Sequence, residues 1–287
     1  MGRRVRVGDA DGERLCFLCG QRAVIGDRVR WVDAPGEGGK LTTVDARDNE
    51  LTRSDPKGHH EVLAANLGGL LVVVTPTDPP FHAPLLDRYI VGAGRAGLPV
   101  AALLAKIDLP VPDDVARAIE ARAATGLPVL RCSARTREGL DTVRAFLAEN
   151  ASGPWALVGY SGVGKTSLVA ALLPEQDVGP VGAISEYWGT GRHTTSRSRL
   201  FTLPGGGEVA DSPGIRGFIP AIDDPEAVRD HYPGMHALPC KYRDCLHRPD
   251  EDGCVAEATV ADDLLAGYRE LFGQVEHIHR RRGPGGR

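Results

Sequence analysis

The chain has 287 residues, 42% of them hydrophobic and 25% charged, with a net charge of −4; this is ordinary globular usage, long enough for one large domain or two to three small ones. No apolar run approaches the ~18 residues of a membrane span, and the N-terminus lacks an apolar signal core, so a soluble cytoplasmic protein is expected. Net acidity argues against a general nucleic-acid binder, but residues 1–30 carry seven Arg against four acids and Arg280, Arg281, Arg282 and Arg287 crowd the C-terminus; basic ends permit local contact with phosphate backbones, and for residues 280–287 alone a solvated tail is the preferred reading.

Residues 1–65 read as short strands and turns. Val5, Val7, Val29, Trp31 and Val32 favour strands, and Gly8, Gly12, Gly20, Gly26 and Pro35-Gly36 punctuate them, so a small β-barrel is expected. Cys16 and Cys19 form a lone C-x-x-C with no second pair and read as ordinary barrel residues. From residue 66 strands alternate with helices. Leu70–Thr75, Pro99–Ala105, Pro128–Arg131 and Trp155–Val158 read as buried strands. Helical periods run through Pro84–Val91, through Val115, Ile119 and Ala123 after Pro112, and through Leu140, Val143 and Leu147. Such alternation predicts a parallel sheet with helices on both faces.

The last of these strands runs into Gly159-Tyr160-Ser161-Gly162-Val163-Gly164-Lys165-Thr166, followed by a helix from Ser167 to Leu173. This is G-x-x-x-x-G-K-[ST] in its strand–loop–helix context. Glycines let backbone N–H groups surround a β-phosphate at a helix N-terminus. Lys165 reaches the β- and γ-phosphates, and the Thr166 hydroxyl takes a place on Mg²⁺. Downstream, Asp211-Ser212-Pro213-Gly214 ends a strand with D-x-x-G, Asp211 serving Mg²⁺ through water and the Gly214 N–H sensing the γ-phosphate. Between the two lies Gly191-Arg192-His193-Thr194-Thr195, whose threonines, Thr195 among them, can add a hydroxyl to Mg²⁺.

Guanine-reading loops normally follow phosphate loops. Here Ala105-Lys106-Ile107-Asp108 ends one strand and Ser133-Ala134 the next, both before Gly159. That order is a circular permutation, which preserves sheet and loop positions when the old ends lie close together. The Asp108 carboxylate accepts from guanine N1–H and the exocyclic amine, and Lys106 lies along the base. After about residue 220, Cys240, Cys245, His247 and Cys254 supply three thiolates and an imidazole for a closed structural zinc site. A helix with an apolar stripe through Leu264, Tyr268, Leu271, Val275 and Ile278 follows. Boundaries near 1–65, 66–220 and 221–287 result.

With these motifs, and with Gly26-Asp27-Arg28-Val29, Ala64-Ala65-Asn66 and Arg88-Tyr89, nearly the whole chain resembles the circularly permuted bacterial GTPases of the ribosome small-subunit-dependent GTPase A family. The resemblance implies an OB-fold RNA-binding barrel, a permuted GTPase domain and a C-terminal zinc domain, with GTP/GDP, Mg²⁺ and Zn²⁺ as ligands. It also implies GTP hydrolysis stimulated by the small ribosomal subunit, with that subunit and its rRNA as partners, in its late maturation; a monomer with no membrane attachment is expected. Ala105 departs from the family's usual Asn, which suggests a loss of about 1 kcal/mol in nucleotide affinity. Ile215 stands where Ras-like enzymes carry a water-orienting Gln; His193, or a ribosomal group supplied in trans, takes that task. A GTP-dependent RNA- or ribosome-binding module with little hydrolysis is the alternative reading, and a P-loop ATPase or kinase of another class a third.

Overall fold

The protein is described from a computed structural model covering residues 4–9, 12–34, 38–55, 58–173, 199–211, 218–222 and 224–282. The N-terminal strands are β1 (Arg4–Asp9), β2 (Gly12–Phe17), β3 (Val29–Asp33), β4 (Gly39–Val44), β5 (Glu50–Ser54) and β6 (His60–Ala65). They form a four-stranded sheet ordered β1-β2-β4-β3 and a separate β5–β6 ribbon, joined by a bridge from Ile25 to Ala64. Two motifs singled out in the sequence face one another here. A side chain at Gly26 would stand 1.9 Å from the Ala65 carbonyl oxygen, and Asn66 donates to the Gly26 carbonyl at 2.9 Å. Arg47 grips the buried Asp27 carboxylate at 2.7 and 2.9 Å. These motif residues therefore tie the β-region to the start of the next sheet. Cys16 is buried among the strands and Cys19 exposed, in keeping with a packing role.

The large sheet takes β7 (Gly69–Val74), β8 (Val100–Leu104), β9 (Val129–Arg131), β10 (Trp155–Val158), β11 (Arg199–Thr202) and β12 (Glu208–Asp211), in the order β11-β12-β10-β7-β8-β9. All pairings are parallel except β11 with β12. The edge strand β11 had no period to announce it: four residues, half of them polar, paired on one side. Alternate residues of β7 feed two cores. Leu70, Val72 and Val74 join α1 (Ala83–Arg95) and α2 (Asp113–Ala123) on one face. Leu71 and Val73 join α3 (Leu140–Glu149) and α4 (Lys165–Leu172) on the other. A run of six fully buried residues is what a strand covered on both faces requires. Gly69 admits the Trp155 indole, which would lie 2.7 Å from any Cβ there.

Beyond the sheet come α5 (Glu226–His231), α6 (Ala256–Thr259) and the long α7 (Asp262–Arg282). The stripe of α7 is buried at Leu264, Tyr268, Leu271 and Val275, packed with Val91 of α1. A polar knot secures the same junction. The fully buried Arg122 of α2 donates to both oxygens of Asp87 in α1 at 2.7 Å and to Asp263 in α7 at 2.6 Å, while the Tyr232 hydroxyl donates to Asp87 at 2.6 Å. Composition alone does not announce it, because its members are scattered from residue 87 to residue 263. Among the described residues no helix is long and apolar enough to cross a membrane.

Candidate functional site

The parallel strands β10 and β7 end side by side, and the chain turns away from the sheet at Gly159. There φ is +141° and a Cβ would stand 2.3 Å from the Val73 carbonyl oxygen, so only glycine permits the exit. The loop through Tyr160, Ser161, Gly162 and Val163 then crosses to Gly164, whose φ of +94° opens α4 at Lys165. The helix thus starts two residues earlier than the sequence pattern indicated. Lys165 is nearly buried, and its ammonium donates to the Gly159 and Tyr160 carbonyls at 3.0 and 2.8 Å. Parallel pairing of Leu157 with Asp211 brings Asp211 to the mouth of the same loop, where its carboxylate accepts from the Thr166 hydroxyl at 3.2 Å. Ser167 follows, exposed. Burial lowers the Lys165 ammonium to about 8 and raises the Asp211 carboxyl to about 6. Each charge lacks solvent, so a phosphate beside one and a cation beside the other would relieve both.

The neighbouring strand β8 ends at Leu104. Ala105 is buried in the same apolar cluster as Cys132 and Val163, filling space without offering a polar group. Lys106 takes a left-handed turn at φ +57°, and its ammonium donates to the Asp78 carbonyl at 2.6 Å. Ile107 packs partly into the core and donates its N–H to the Cys132 carbonyl at 3.3 Å. Asp108 then meets the loop after β9. Ser133 is fully buried and its hydroxyl donates to one Asp108 oxygen; Arg135 donates to the other at 2.8 and 2.7 Å. These bonds, the Ser133 hydroxyl first, hold the Asp108 carboxyl below its ordinary range. Ala134 lies partly buried beside them. Cys132, just before the loop, is buried, which pushes its thiol up to about 11 and leaves it a small apolar residue.

The two loops adjoin despite their inverted order. A Cβ at Gly164 would lie 3.8 Å from the Cε of Lys106, and one at Gly162 3.8 Å from Pro79. The segment after β7, including Asp78 and Pro79, thus touches both loops, and Thr75 braces it by donating to the Pro79 carbonyl at 2.7 Å. Sequence reasoning missed this third element and also Arg135; the only signal was a basic residue directly after Ser133-Ala134. His193, Thr195 and Gly214 lie outside the described residues.

The second cluster is formed by Cys240, Cys245, His247 and Cys254, whose ligand atoms all lie within 4.8 Å of one another. The three sulfurs stand 3.6, 3.4 and 3.5 Å from His247 Nδ1. Tetrahedral zinc with ordinary Zn–S and Zn–N bonds would separate such atoms by about 3.5 Å. His247 Nε2 lies 3.1 Å from the Met235 carbonyl; donation there leaves Nδ1 as the free ligand nitrogen. His247 reaches in from a left-handed turn, φ +54°, which lets Cys245 and His247 share one bend. Glu251 caps that bend by accepting from the Leu246 and Arg248 N–H groups at 3.0 and 2.9 Å. The residues present fit the metal.

Residues 44–219 match the RsgA GTPase family. Among curated relatives, the small ribosomal subunit biogenesis GTPase RsgA of Azotobacter vinelandii is 39% identical, over 94% of this chain and 82% of that protein. The protein of the same name from Alcanivorax borkumensis is 38% identical, over 98% and 84%. Of solved structures, YjeQ from Thermotoga maritima aligns with a TM-score of 0.66 at 25% identity, covering 95% of this chain and 94% of its own. YloQ, a circularly permuted GTPase, shares the fold with a TM-score of 0.64 at 21% identity, over 98% and 93%.

Proposed function

Because the chain belongs to the RsgA GTPase family, we propose that it hydrolyses GTP in the biogenesis of the small ribosomal subunit, with the subunit itself stimulating turnover late in its maturation. The observation that supports a single nucleotide site is the closeness of the base loop to the phosphate loop, where a Cβ at Gly164 would lie 3.8 Å from Lys106 Cε. In this reading Asp108 selects guanine, backed by Ser133 and Ala134, while Ala105, Lys106 and Ile107 shape the base loop. Gly159 through Ser167 hold the phosphates, and Lys165 meets the β- and γ-oxygens. Thr166 and Asp211 hold Mg²⁺, which when bound neutralises charge on the phosphates. Cys240, Cys245, His247 and Cys254 hold one structural zinc. Residues 1–65, 66–220 and 221–287 then serve as RNA-binding, GTPase and zinc-binding units of a cytoplasmic monomer.

Ile215 stands where Ras-like enzymes carry a water-orienting Gln, and an aliphatic side chain cannot hold a water. The task falls to His193 or to a group of the subunit. His193→Ala is expected to lower subunit-stimulated turnover tenfold or more with GTP binding intact; unchanged stimulated turnover removes it from the mechanism.

The governing experiment is phosphate release with small subunits, large subunits or neither, with ATP as competitor. Slow basal turnover raised by small subunits alone, and insensitive to ATP, is the expected result. Turnover indifferent to subunits sinks the reading, and none under any condition leaves a GTP-dependent docking module.

A further inference from the structure

The guanine-selecting carboxylate has an internal partner. A carboxylate offers about four lone-pair positions. The Ser133 hydroxyl accepts from the Thr136 N–H at 3.1 Å, which directs its one proton to Asp108 Oδ1. Arg135 places Nε at 2.8 Å and Nη2 at 2.7 Å from Oδ2. Both positions of Oδ2 are thus taken by Arg135. The Asp108 side chain is only 9% exposed while that of Arg135 is 72% exposed, so the carboxylate is fixed and the guanidinium stands on the solvent side.

The chemistry of the two candidates for Oδ2 is alike. The edge of guanine that carries N1–H and the exocyclic amine is a cyclic guanidine, with two N–H donors on one carbon. Arg135 offers the same fragment. Ser133 anchors the carboxylate from behind and does not compete. Resting on the reading that Asp108 selects guanine, we propose that Arg135 is an intramolecular stand-in for the base, a specificity-tuning residue that guanine must displace from Oδ2 before it binds. The guanidinium is largely in solvent, which weakens its hold, so the arginine lowers apparent affinity by the fraction of time it holds the carboxylate. The backbone bond from Ser133 N–H to the Glu138 carbonyl at 2.9 Å pins the loop, so only the arginine side chain has to swing.

Fluorescent GDP and GTP analogues would be titrated and their association rates measured for the full chain, Arg135→Ala, Arg135→Lys and Asp108→Asn. Arg135→Ala is expected to tighten binding about two- to fivefold, through association rate. The gain should shrink as salt screens the pair in the parent chain. Arg135→Lys keeps the charge without the two-donor fork and should fall between. In the Asp108→Asn background, which should favour xanthine over guanine nucleotides, Arg135→Ala should change nothing. If Asp108→Asn loses guanine preference while Arg135→Ala leaves binding unchanged or weaker, the proposal is overturned and the site reading stands. If Asp108→Asn keeps guanine preference, the site reading fails and the proposal with it.

Discussion

Lys165→Ala is expected to weaken GTP binding and to lower stimulated turnover by about 10²–10³, equivalent to roughly 3–4 kcal/mol, the scale for removing one preorganised group from developing charge. The ammonium is nearly buried, held at 3.0 and 2.8 Å by two carbonyls of its own loop, and it stands at the first position of α4. It is therefore placed before substrate arrives and pays no reorganisation on binding. The same geometry limits collateral damage: the loop path is set by Gly159 and Gly164 rather than by the lysine, so thermal stability should change little. Equilibrium titration with a fluorescent nucleotide, beside single-turnover hydrolysis on small subunits, checks it. Binding within threefold of the parent would mean that the loop does not hold phosphates.

Cys245→Ser, or a strong chelator, is expected to remove the metal and unfold residues 236–255 while leaving the GTPase sheet intact. Structural zinc sites contribute about 10–16 kcal/mol of apparent binding energy in small peptides, and outside the cluster these loops are held mainly by α7, through Tyr268 to the Leu246 carbonyl at 2.7 Å and Arg269 to the His247 carbonyl at 3.0 Å. Among the described residues, no helix lies between α5 and α6. Without a cation, burial pushes the Cys245 thiol up to about 12, so a dry cluster of thiols is left where a charge-neutralised site had been. The helices α5 and α7 should stay docked, because Tyr232 and Asp263 are bound to the Asp87–Arg122 pair and breaking such a buried pair costs about 3–5 kcal/mol. Elemental analysis showing one zinc per chain, together with hydrogen exchange confined to the cluster loops after chelation, would bear this out. Exchange that is unaltered by chelation would exclude a structural metal.

Asn66 and Asp27 show that family-motif residues can be architectural: Asn66 spends its amide on the Gly26 carbonyl at the junction between β-region and sheet, and Asp27 is held by Arg47 within the β-region. Arg135 shows the converse: its place directly after Ser133-Ala134 is its one mark in the sequence, and its role emerges only when the Asp108 carboxylate is seen beside it. The same holds for Asp78, whose backbone carbonyl receives Lys106 at 2.6 Å with its carboxylate 3.9 Å from the same ammonium.

The sequence alone determined whatever rests on local chemistry. The apolar runs and helical periods marked the sheet strands from β7 to β10 and the helices α1 to α4 and α7, because burial on one or two faces imposes a short period. The glycine pattern with Lys165, and the Cys/His spacing, marked their sites because phosphate and zinc each demand particular donors within a few residues. Tertiary structure alone decided what depends on chain segments far apart: the approach of Lys106 to Gly164 across the permuted order, the Asp87–Arg122–Tyr232–Asp263 knot and the capture of Asp108 by Arg135. Pairwise electrostatics acts over a few ångströms of space, whatever the separation along the chain, so a one-dimensional pattern carries no trace of these pairs until folding brings them together.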